Sequence, residues 1–267
     1  MHIAFVGGGV MAEAIIAGIL DAKLGASVAV GEPVEARRRS LAEMYGITVT
    51  GSNREALDGA DMAVLAIKPQ QFEEVAGEIK DCLRPEQTIA SIMAGVKVHS
   101  IGLKLNHHRI IRIMPNTPAQ VRQGMSVWTA TPDVPDSAAE FTKKMLAALG
   151  DEVQFSEEKY VDIATALSAS GPGYVFAFLE SLIDGAVQLG MPYHLARRLA
   201  TQTLLGSAAL AKKVGVHPAE LKNRVTSPGG TTAAGLFALE KGGFSAATIE
   251  AVLAAYARGE ELGASGK

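Results

Sequence analysis

Short apolar runs alternate with segments of helical periodicity through the first half of the chain. Residues 3–6 form an apolar run typical of a buried strand, and residues 11–20 place Ile15 and Ile19 on one face of a helix. Further strands are predicted at residues 28–30, 48–50, 62–67, 88–91 and 110–113, and near Val127 and Val153. This alternation predicts a mostly parallel, doubly wound sheet with helices on both faces.

The pattern changes near residue 156. Strand signals end there and helical patterns follow one another, which predicts an α/β domain over residues 1–156 and an all-helical domain over residues 157–267. Several of the later helices are apolar on more than one face, as in residues 204–210. A small helical domain with such faces is predicted to bury them against a second copy of the chain.

Composition and charge narrow the possible classes of protein. Of the 267 residues, 48% are hydrophobic, and the net charge of −3 comes without a basic stripe, which argues against binding to nucleic acid or to a membrane surface. The single cysteine, Cys82, excludes an internal disulfide, and we expect no metal site and a cytoplasmic location. No apolar run reaches the roughly 18 residues that span a bilayer. A strand that starts at His2 is expected to leave no room for a signal peptide.

Gly7, Gly9 and Ala12 fit the G-x-G-x-x-G/A fingerprint of a dinucleotide-binding turn. The first glycine allows the tight turn, the second lets the backbone approach a pyrophosphate, and the small Ala12 lets the helix pack on the strand. The start of the helix then offers free N–H groups to the phosphates. Because the motif lies directly between a predicted strand and a predicted helix, we interpret it as a dinucleotide site rather than an ordinary tight turn.

The end of the second predicted strand bears on the choice between NAD and NADP. Glu32 lies there, where a carboxylate accepts hydrogen bonds from the ribose hydroxyls of NAD and repels the 2′-phosphate of NADP. Arg37, Arg38 and Arg39 follow closely and offer partners to that phosphate, although three successive helical residues cannot all face one ligand. The alternative is a solvated helix face, so the cofactor stays open between NADP and NAD.

Three later strand ends carry small or polar residues at the edge where doubly wound folds bind ligands. Lys68 precedes Pro69 just after a predicted strand and is placed to face the cofactor. Residues 91–96 include small residues that would let a nicotinamide lie against the backbone. Residues 114–119 form a stiff polar loop, for which a purely structural turn is the alternative.

In the helical domain, the most informative segment is residues 227–232, Ser-Pro-Gly-Gly-Thr-Thr. Its two glycines expose backbone N–H groups, Thr231 and Thr232 add hydroxyls, and a helix is predicted to begin there. Such an arrangement can bind a small anion such as a carboxylate. The alternative is a helix N-cap with a glycine turn and no ligand.

Taken together, these segments resemble the pyrroline-5-carboxylate reductase family almost from end to end. The resemblance rests on residues 7–12, 66–69, 91–96, 114–119, 168–174 and, above all, 221–232. It implies reduction of 1-pyrroline-5-carboxylate to L-proline, the last step of proline biosynthesis, with NADPH or NADH as the hydride donor. It also implies an N-terminal Rossmann domain followed by an all-α dimerisation domain, and homodimers that can join into larger rings.

The resemblance also assigns roles to individual residues. It places the cyclic imino acid between the nicotinamide and the 227–232 loop, which can come from the partner chain. The backbone of Gly230 and Thr231 would anchor the substrate carboxylate, and the Thr232 hydroxyl would orient the imine nitrogen or relay a proton from water. The residues expected to line the cofactor are Val6, Gly7, Gly8, Gly9, Val10, Met11, Ala12, Glu32, Asn53, Ala66, Ile67, Lys68, Pro69, Ala94, Gly95 and Asn116.

The sequence departs from the family pattern at Ala169, Gly173 and Asn223, the last of which stands where an aspartate is usual. None of these departures removes a group assigned to the chemistry. A six-membered cyclic imine stays open as a substrate, because one methylene changes discrimination by only ~10–200-fold. Two other functions are alternatives: a β-hydroxyacid dehydrogenase, which would need a lysine in a glycine-rich helical segment, and a dinucleotide sensor, which would not need residues 227–232 intact.

Overall fold

Eight strands form one sheet in the computed structural model, which describes residues 1–265. They are β1 (His2–Val6), β2 (Ser27–Gly31), β3 (Thr48–Thr50), β4 (Met62–Leu65), β5 (Thr88–Ser91), β6 (Ile110–Met114), β7 (Gly124–Ala130) and β8 (Gly150–Gln154). Their order across the sheet is β3-β2-β1-β4-β5-β6-β7-β8, and all neighbours are parallel except β6 and β7. The order reverses beside β1, which is the switch point where doubly wound folds bind ligands.

Helices connect the strands and then replace them. Those among the strands and just after them are α1 (Val10–Asp21), α2 (Glu35–Tyr45), α3 (Asn53–Leu57), α4 (Phe72–Ile79), α5 (Val98–Leu105), α6 (Asp136–Ala147) and α7 (Lys159–Ala164). Next come α8 (Gly171–Gln188), α9 (Tyr193–Val214), α10 (Pro218–Arg224), α11 (Thr231–Lys241) and α12 (Phe244–Ser265). The predicted fold class, a doubly wound α/β sheet followed by a helical region, is confirmed.

Both faces of the sheet are buried because alternate residues of each strand point to opposite sides. Ile3 and Phe5 of β1 pack into one hydrophobic core with Ile15 of α1, while Ala4 and Val6 pack into a second core on the other side. Strands buried on both faces need apolar residues at every position rather than at every second one. This is why they stand out in the sequence as continuous apolar runs.

One helical segment changes its winding along its length. The α-helix α7 ends at Ala164, and a π-helical turn follows over Thr165–Ala169. The hydroxyl groups of Thr165 and Ser168 donate to the carbonyls four residues back, at 2.8 and 2.9 Å. Such side-chain bonds compete with the backbone ladder and bend helices.

Packing divides the chain into two compact units. Of the described residues, the first unit contains 1–170 and 254–265, and the second contains 171–253. The last strand ends at Gln154, close to the domain boundary predicted at 156–157, but residues 157–170 and the end of α12 pack with the sheet. The extent of the helical dimerisation domain, predicted as 157–267, therefore stays a prediction.

Candidate active site

The carboxyl ends of the parallel strands bring the predicted cofactor residues to one edge of the sheet. The amide of Gly7, after β1, donates to the carbonyl of Gly31 at the end of β2, over 2.8 Å. The amide of Ala66, after β4, donates to the carbonyl of Val6, over 2.9 Å. The amide of Ile92, after β5, donates in turn to Leu65, over 3.2 Å. The predicted segments are thus hydrogen-bonded neighbours around the switch point.

The glycine turn between β1 and α1 is tight on one side and open on the other. Gly7 has a φ of +96°, and a Cβ added there would lie 2.7 Å from the carbonyl oxygen of Ala66. Gly8 is buried, and a Cβ there would lie 2.7 Å from a methyl of Leu41. Gly9 is the N-cap of α1, is exposed, and would place a Cβ in open space. Backbone at the start of a helix with open space beside it fits a diphosphate group.

Glu32 is turned toward the glycine turn rather than into solvent. One carboxylate oxygen accepts from the amide of Gly8 over 2.9 Å, and the other accepts from the amide of Val34 over 2.9 Å. The residue is 8% exposed. The carboxylate predicted to read a ribose therefore braces the turn, and two of its acceptor positions are used by the backbone.

The three arginines of α2 reach three different places. Arg37 donates to the carbonyl of Gly8 over 2.7 Å and to Glu13 of α1 over 2.6 Å. The hydrogen bond from Arg37 holds the pKa of the Glu13 carboxyl below its usual value against the opposing effect of burial. Arg39 pairs with Glu35 on the exposed face of α2.

Arg38 lies by the carboxyl ends of β2 and β3. Its Nη1 donates to the carbonyl oxygens of Glu32 over 2.8 Å and of Pro33 over 2.7 Å. A Cβ added to Gly51 would lie 3.4 Å from the same nitrogen. Since β2 ends at Gly31 and β3 at Thr50, these contacts hold the guanidinium over the ends of both strands.

Asn53 and Lys68 follow two other strands at this edge, Asn53 after β3 and Lys68 after β4. The Asn53 amide group donates to Glu78 over 2.8 Å, and its Oδ1 lies against Gly31, where an added Cβ would be 2.5 Å away. Lys68 is exposed after β4, and its backbone amide donates to the side chain of Gln71 over 3.2 Å. Asn53 is thus held by contacts within the fold, whereas Lys68 is exposed, and its contact with the cofactor stays a prediction.

The loop after β5 presents backbone rather than side chains. Ser91 is fully buried and its hydroxyl accepts from the amide of Met93 over 3.3 Å. Ala94 is exposed, and Gly95 has a φ of +75° that side-chain-bearing residues rarely adopt. Lys97 ends the loop just before α5. The loop is suited to lie flat against an aromatic ring such as a nicotinamide.

Asn116, after β6, uses both ends of its side-chain amide within the fold. Its Nδ2 donates to the carbonyl of Ser168 in the π-helical turn over 3.0 Å, and its Oδ1 accepts from the amide of Met125 over 2.9 Å. The sequence placed Asn116 among the cofactor residues. The structure gives it a bracing role, tying the end of β6 to β7 and to the turn before α8.

Arg112, a buried charged residue in β6, was not identified from the sequence. Arg112 of β6 has no exposed surface and donates to Glu158 over 2.8 Å and to Asp162 over 2.7 Å. A charged residue inside the apolar run Ile-Ile-Arg-Ile-Met was the available signal, because a buried charge requires a partner. Its partners lie 46 and 50 residues away, beyond what strand periodicity can identify.

In the second unit, the 227–232 loop forms the start of α11. Gly229 has a φ of +67°, Gly230 is the N-cap, and its amide donates to the carbonyl of Ser227 over 3.0 Å. Thr231 and Thr232 occupy the first two helical positions and are exposed. The first amides of a helix lack partners within the helix and carry its positive end, so this loop can hold a carboxylate.

The described residues, 1–265, also bear on membrane spans and metal sites. In this part of the chain no helix is both long enough and apolar enough to cross a membrane. Within the same residues, no group of three or more His, Cys, Asp or Glu side chains is arranged to hold a metal ion.

Known proteins are similar to this chain over almost its whole length. A family model described as pyrroline-5-carboxylate reductase dimerisation matches residues 158–262, and one described as NADP oxidoreductase, coenzyme F420-dependent, matches residues 2–95. Pyrroline-5-carboxylate reductase from Synechocystis sp. is 44% identical over 267 residues, covering 98% of each chain. The solved structure of a pyrroline-5-carboxylate reductase from Coxiella burnetii matches with a TM-score of 0.89 at 34% identity, over 97% of each chain. That of Plasmodium falciparum pyrroline carboxylate reductase with NADP bound matches with a TM-score of 0.89 at 30% identity, over 98% of each chain.

Proposed function

The chain belongs to the pyrroline-5-carboxylate reductase family, and from this premise we propose how its own residues bind the ligands and promote the reaction. It is an oxidoreductase of proline biosynthesis that reduces 1-pyrroline-5-carboxylate to L-proline, with NADP or NAD in its reduced form as the hydride donor. The membership of this family that the sequence motifs indicated is therefore confirmed. The individual residue roles below are our proposal.

The cofactor is proposed to lie along the carboxyl edge of the first unit. The observation that carries this placement is the open space at Gly9, where the backbone at the start of α1 is free to approach a pyrophosphate. Ala66 to Pro69 would line its middle, and the backbone of Ala94 and Gly95 would lie against the nicotinamide. Asn53 contributes packing at the ribose end, since its amide group is already held by Glu78.

We propose that NADPH is the preferred donor. Arg38 places a positive charge over the ends of β2 and β3, where the adenosine ribose of a Rossmann cofactor lies. Both carboxylate oxygens of Glu32 accept from backbone amides, of Gly8 and Val34, and these hydrogen bonds partly offset the negative charge that a 2′-phosphate would meet. A guanidinium pairs well with a phosphate group.

The substrate is proposed to bind at the start of α11. The carboxylate of the imino acid is proposed to lie against the Gly230–Thr231 backbone at this helix N-terminus. The Gly230 amide already donates to the carbonyl of Ser227 over 3.0 Å, so the Thr231 amide, in the first helical position, is the proposed donor to the carboxylate. The Thr232 hydroxyl is exposed and is proposed to hydrogen-bond the imine nitrogen. A threonine hydroxyl is too weak an acid to protonate the nitrogen alone at neutral pH, so it orients the nitrogen or relays a proton from water.

Reduction requires one hydride on the imine carbon and one proton on the nitrogen. The reduced nicotinamide supplies the hydride when it is bound. The protein's contribution is to hold the reacting atoms near contact distance and to keep the nitrogen hydrogen-bonded, which lowers the entropic part of the barrier. We further propose that the enzyme works in the cytoplasm as a homodimer or as a ring of dimers.

The first test is the loss of absorbance at the reduced-nicotinamide band with 1-pyrroline-5-carboxylate, run separately with NADPH and NADH. We expect oxidation that depends on the imine and is faster with NADPH. A six-membered cyclic imine should react more slowly, by a factor of ~10–200. If a folded sample binds a dinucleotide but oxidises neither donor, the proposed reaction is wrong.

The same assay tests Thr232. Thr232→Ala should lower turnover by more than about tenfold, because the imine nitrogen loses its hydrogen-bond partner. Thr248→Ala is the matched control, since its hydroxyl is exposed and donates only to the carbonyl of Phe244 in its own helix, over 2.8 Å. Turnover of Thr232→Ala equal to that of the control would remove Thr232 from the mechanism.

A further inference from the structure

The buried arginine of β6 belongs to a network of charges that reaches the loop after β5. The Glu158 oxygen that pairs with Arg112 also accepts from the amide of Val98, over 2.8 Å, at the start of α5. Asp162, the second partner of Arg112, lies 3.8 Å from the Nζ of Lys97. Two carboxylates thus join one fully buried guanidinium to Lys97 and Val98, which come two and three residues after Gly95.

The end of α12 closes on the same loop from another side. Glu260 pairs with Lys97 over 3.1 Å, and this hydrogen bond raises the pKa of the Lys97 ammonium above its usual value. A Cβ added to Gly263 would lie 2.9 Å from the carbonyl oxygen of Gly95. A Cβ added to Gly95 would lie 3.5 Å from the Cβ of Leu262. The helix backbone therefore touches the loop backbone, with no room for a side chain at Gly263.

These two sets of contacts hold the Ala94–Gly95 loop in place, because its own side chains offer little packing. Ala94 is exposed, and Gly95 has no side chain and a left-handed backbone conformation. Glycine loses more conformational freedom on ordering than any other residue. A loop of this kind needs external support to present its backbone in one position, and here the support comes from Arg112 through carboxylates and from the last turns of α12.

We propose that the Arg112 carboxylate network and the end of α12 together position the Ala94–Gly95 backbone against the nicotinamide ring. Arg112, Lys97, Glu260 and Gly263 are therefore positioning residues, acting through the loop without touching the cofactor. The inference rests on the proposed function, in which this loop lines the nicotinamide. It predicts that disturbing the contact between α12 and the loop weakens binding of the nicotinamide half of the cofactor and leaves the adenosine half unaffected.

The test compares Gly263→Ala with Gly259→Ala. Both glycines lie in α12, one turn apart, but a Cβ at Gly259 meets nothing within 4 Å, whereas a Cβ at Gly263 meets the Gly95 carbonyl. For each variant, dissociation constants are measured for NADPH and for 2′-phospho-ADP-ribose, which lacks the nicotinamide, together with kcat. Gly263→Ala should weaken NADPH binding or lower kcat by about tenfold or more, because small displacements of positioning groups are costly.

The binding of 2′-phospho-ADP-ribose should stay within about twofold of wild type in both variants, which is a free-energy change well below 1 kcal/mol. Equal loss of both ligands by Gly263→Ala would indicate general damage to the sheet edge and overturn the inference. Normal NADPH binding and normal kcat would overturn it as well. Because the binding measurements use no imine, they stand even if the wild-type enzyme fails to reduce 1-pyrroline-5-carboxylate, which would instead count against the proposed function.

Discussion

Three consecutive arginines show how much a single residue's role depends on where its side chain is held. Arg37 donates to the carbonyl of Gly8 and to the carboxylate of Glu13, and Arg39 pairs with Glu35 on the exposed face of α2. Arg38 alone of the three is anchored over the ends of β2 and β3. The sequence indicated that three successive helical residues cannot all face one ligand. It did not identify which of the three arginines would face it.

We expect Arg38→Met to reduce the preference for NADPH over NADH by about tenfold or more, because a hydrogen bond to a charged group contributes roughly 1.5–3 kcal/mol. The measurement is the ratio of kcat/KM for the two donors. Arg39→Met is the matched control, with the same change of charge one residue along the same helix. A ratio that falls equally in both variants, or in neither, would contradict a direct role for Arg38.

Glu32 and Asn116 mark the limit of sequence reasoning at this scale. Both lie where the sequence placed them, at the carboxyl edge of the sheet. Their hydrogen bonds run inward, to Gly8 and Val34 for Glu32 and to Met125 and Ser168 for Asn116. Strand periodicity gives the position of a residue along a strand, whereas the direction of a polar side chain depends on backbone groups that only folding brings near.

Among the elements, the strands and the glycine turn were the most predictable. A strand buried on both faces requires a continuous apolar run, and the turn after β1 requires residues without a Cβ at close approaches. The Arg112 network was not predictable, since its partners Glu158 and Asp162 come from α7 or its N-cap, far along the chain. The membership of the end of α12 in the first unit was missed for the same reason: it depends on contacts between distant segments.

Two glycines of the turn after β1 have different expected roles, Gly7 in folding and Gly9 in ligand binding. Gly7→Ala forces a Cβ to 2.7 Å from the Ala66 carbonyl at a φ of +96°, so it should lower the free energy of unfolding by at least about 1–3 kcal/mol. Gly9→Ala meets no protein atom within 4 Å and should change stability by less than about 1 kcal/mol. It should nevertheless weaken dinucleotide binding at least about tenfold, or 1.4 kcal/mol, because its methyl group occupies the space of the pyrophosphate.

Urea denaturation and dinucleotide titration of the two variants check this. Gly25→Ala is less suitable as a control, because its own φ of +68° strains any side chain, whereas Gly77→Ala lies in α4 with open space around it. Gly77→Ala should keep dinucleotide binding and raise the free energy of unfolding by about 0.5–1 kcal/mol, because alanine favours a helix interior over glycine. Normal binding by Gly9→Ala would place the diphosphate elsewhere and remove the observation on which the cofactor's placement depends.

At the scale of the whole molecule, the second unit buries little of its own apolar surface. In α8 and α9, the buried residues are Ile183 and Ala196. Many large apolar side chains of the unit are exposed, among them Val175, Phe176, Leu182, Leu195, Leu199, Leu205, Leu210, Phe237, Ile249 and Leu253. Apolar surface on this scale marks an interface, and the matching family model over residues 158–262 describes dimerisation.

We therefore expect the enzyme to sediment as a dimer or a larger assembly, with a melting temperature that rises with protein concentration, because association stabilises the folded state by mass action. Leu205→Glu, in the middle of α9, should shift the species toward monomer and lower that melting temperature, since a charge cannot be buried unpaired in an apolar interface. Leu103→Glu is the control, because Leu103 is 70% exposed on α5 of the first unit, compared with 59% for Leu205. If both variants keep the wild-type mass, α9 does not form the interface; if wild type itself is monomeric at micromolar concentration, the exposed face of the second unit has some other purpose.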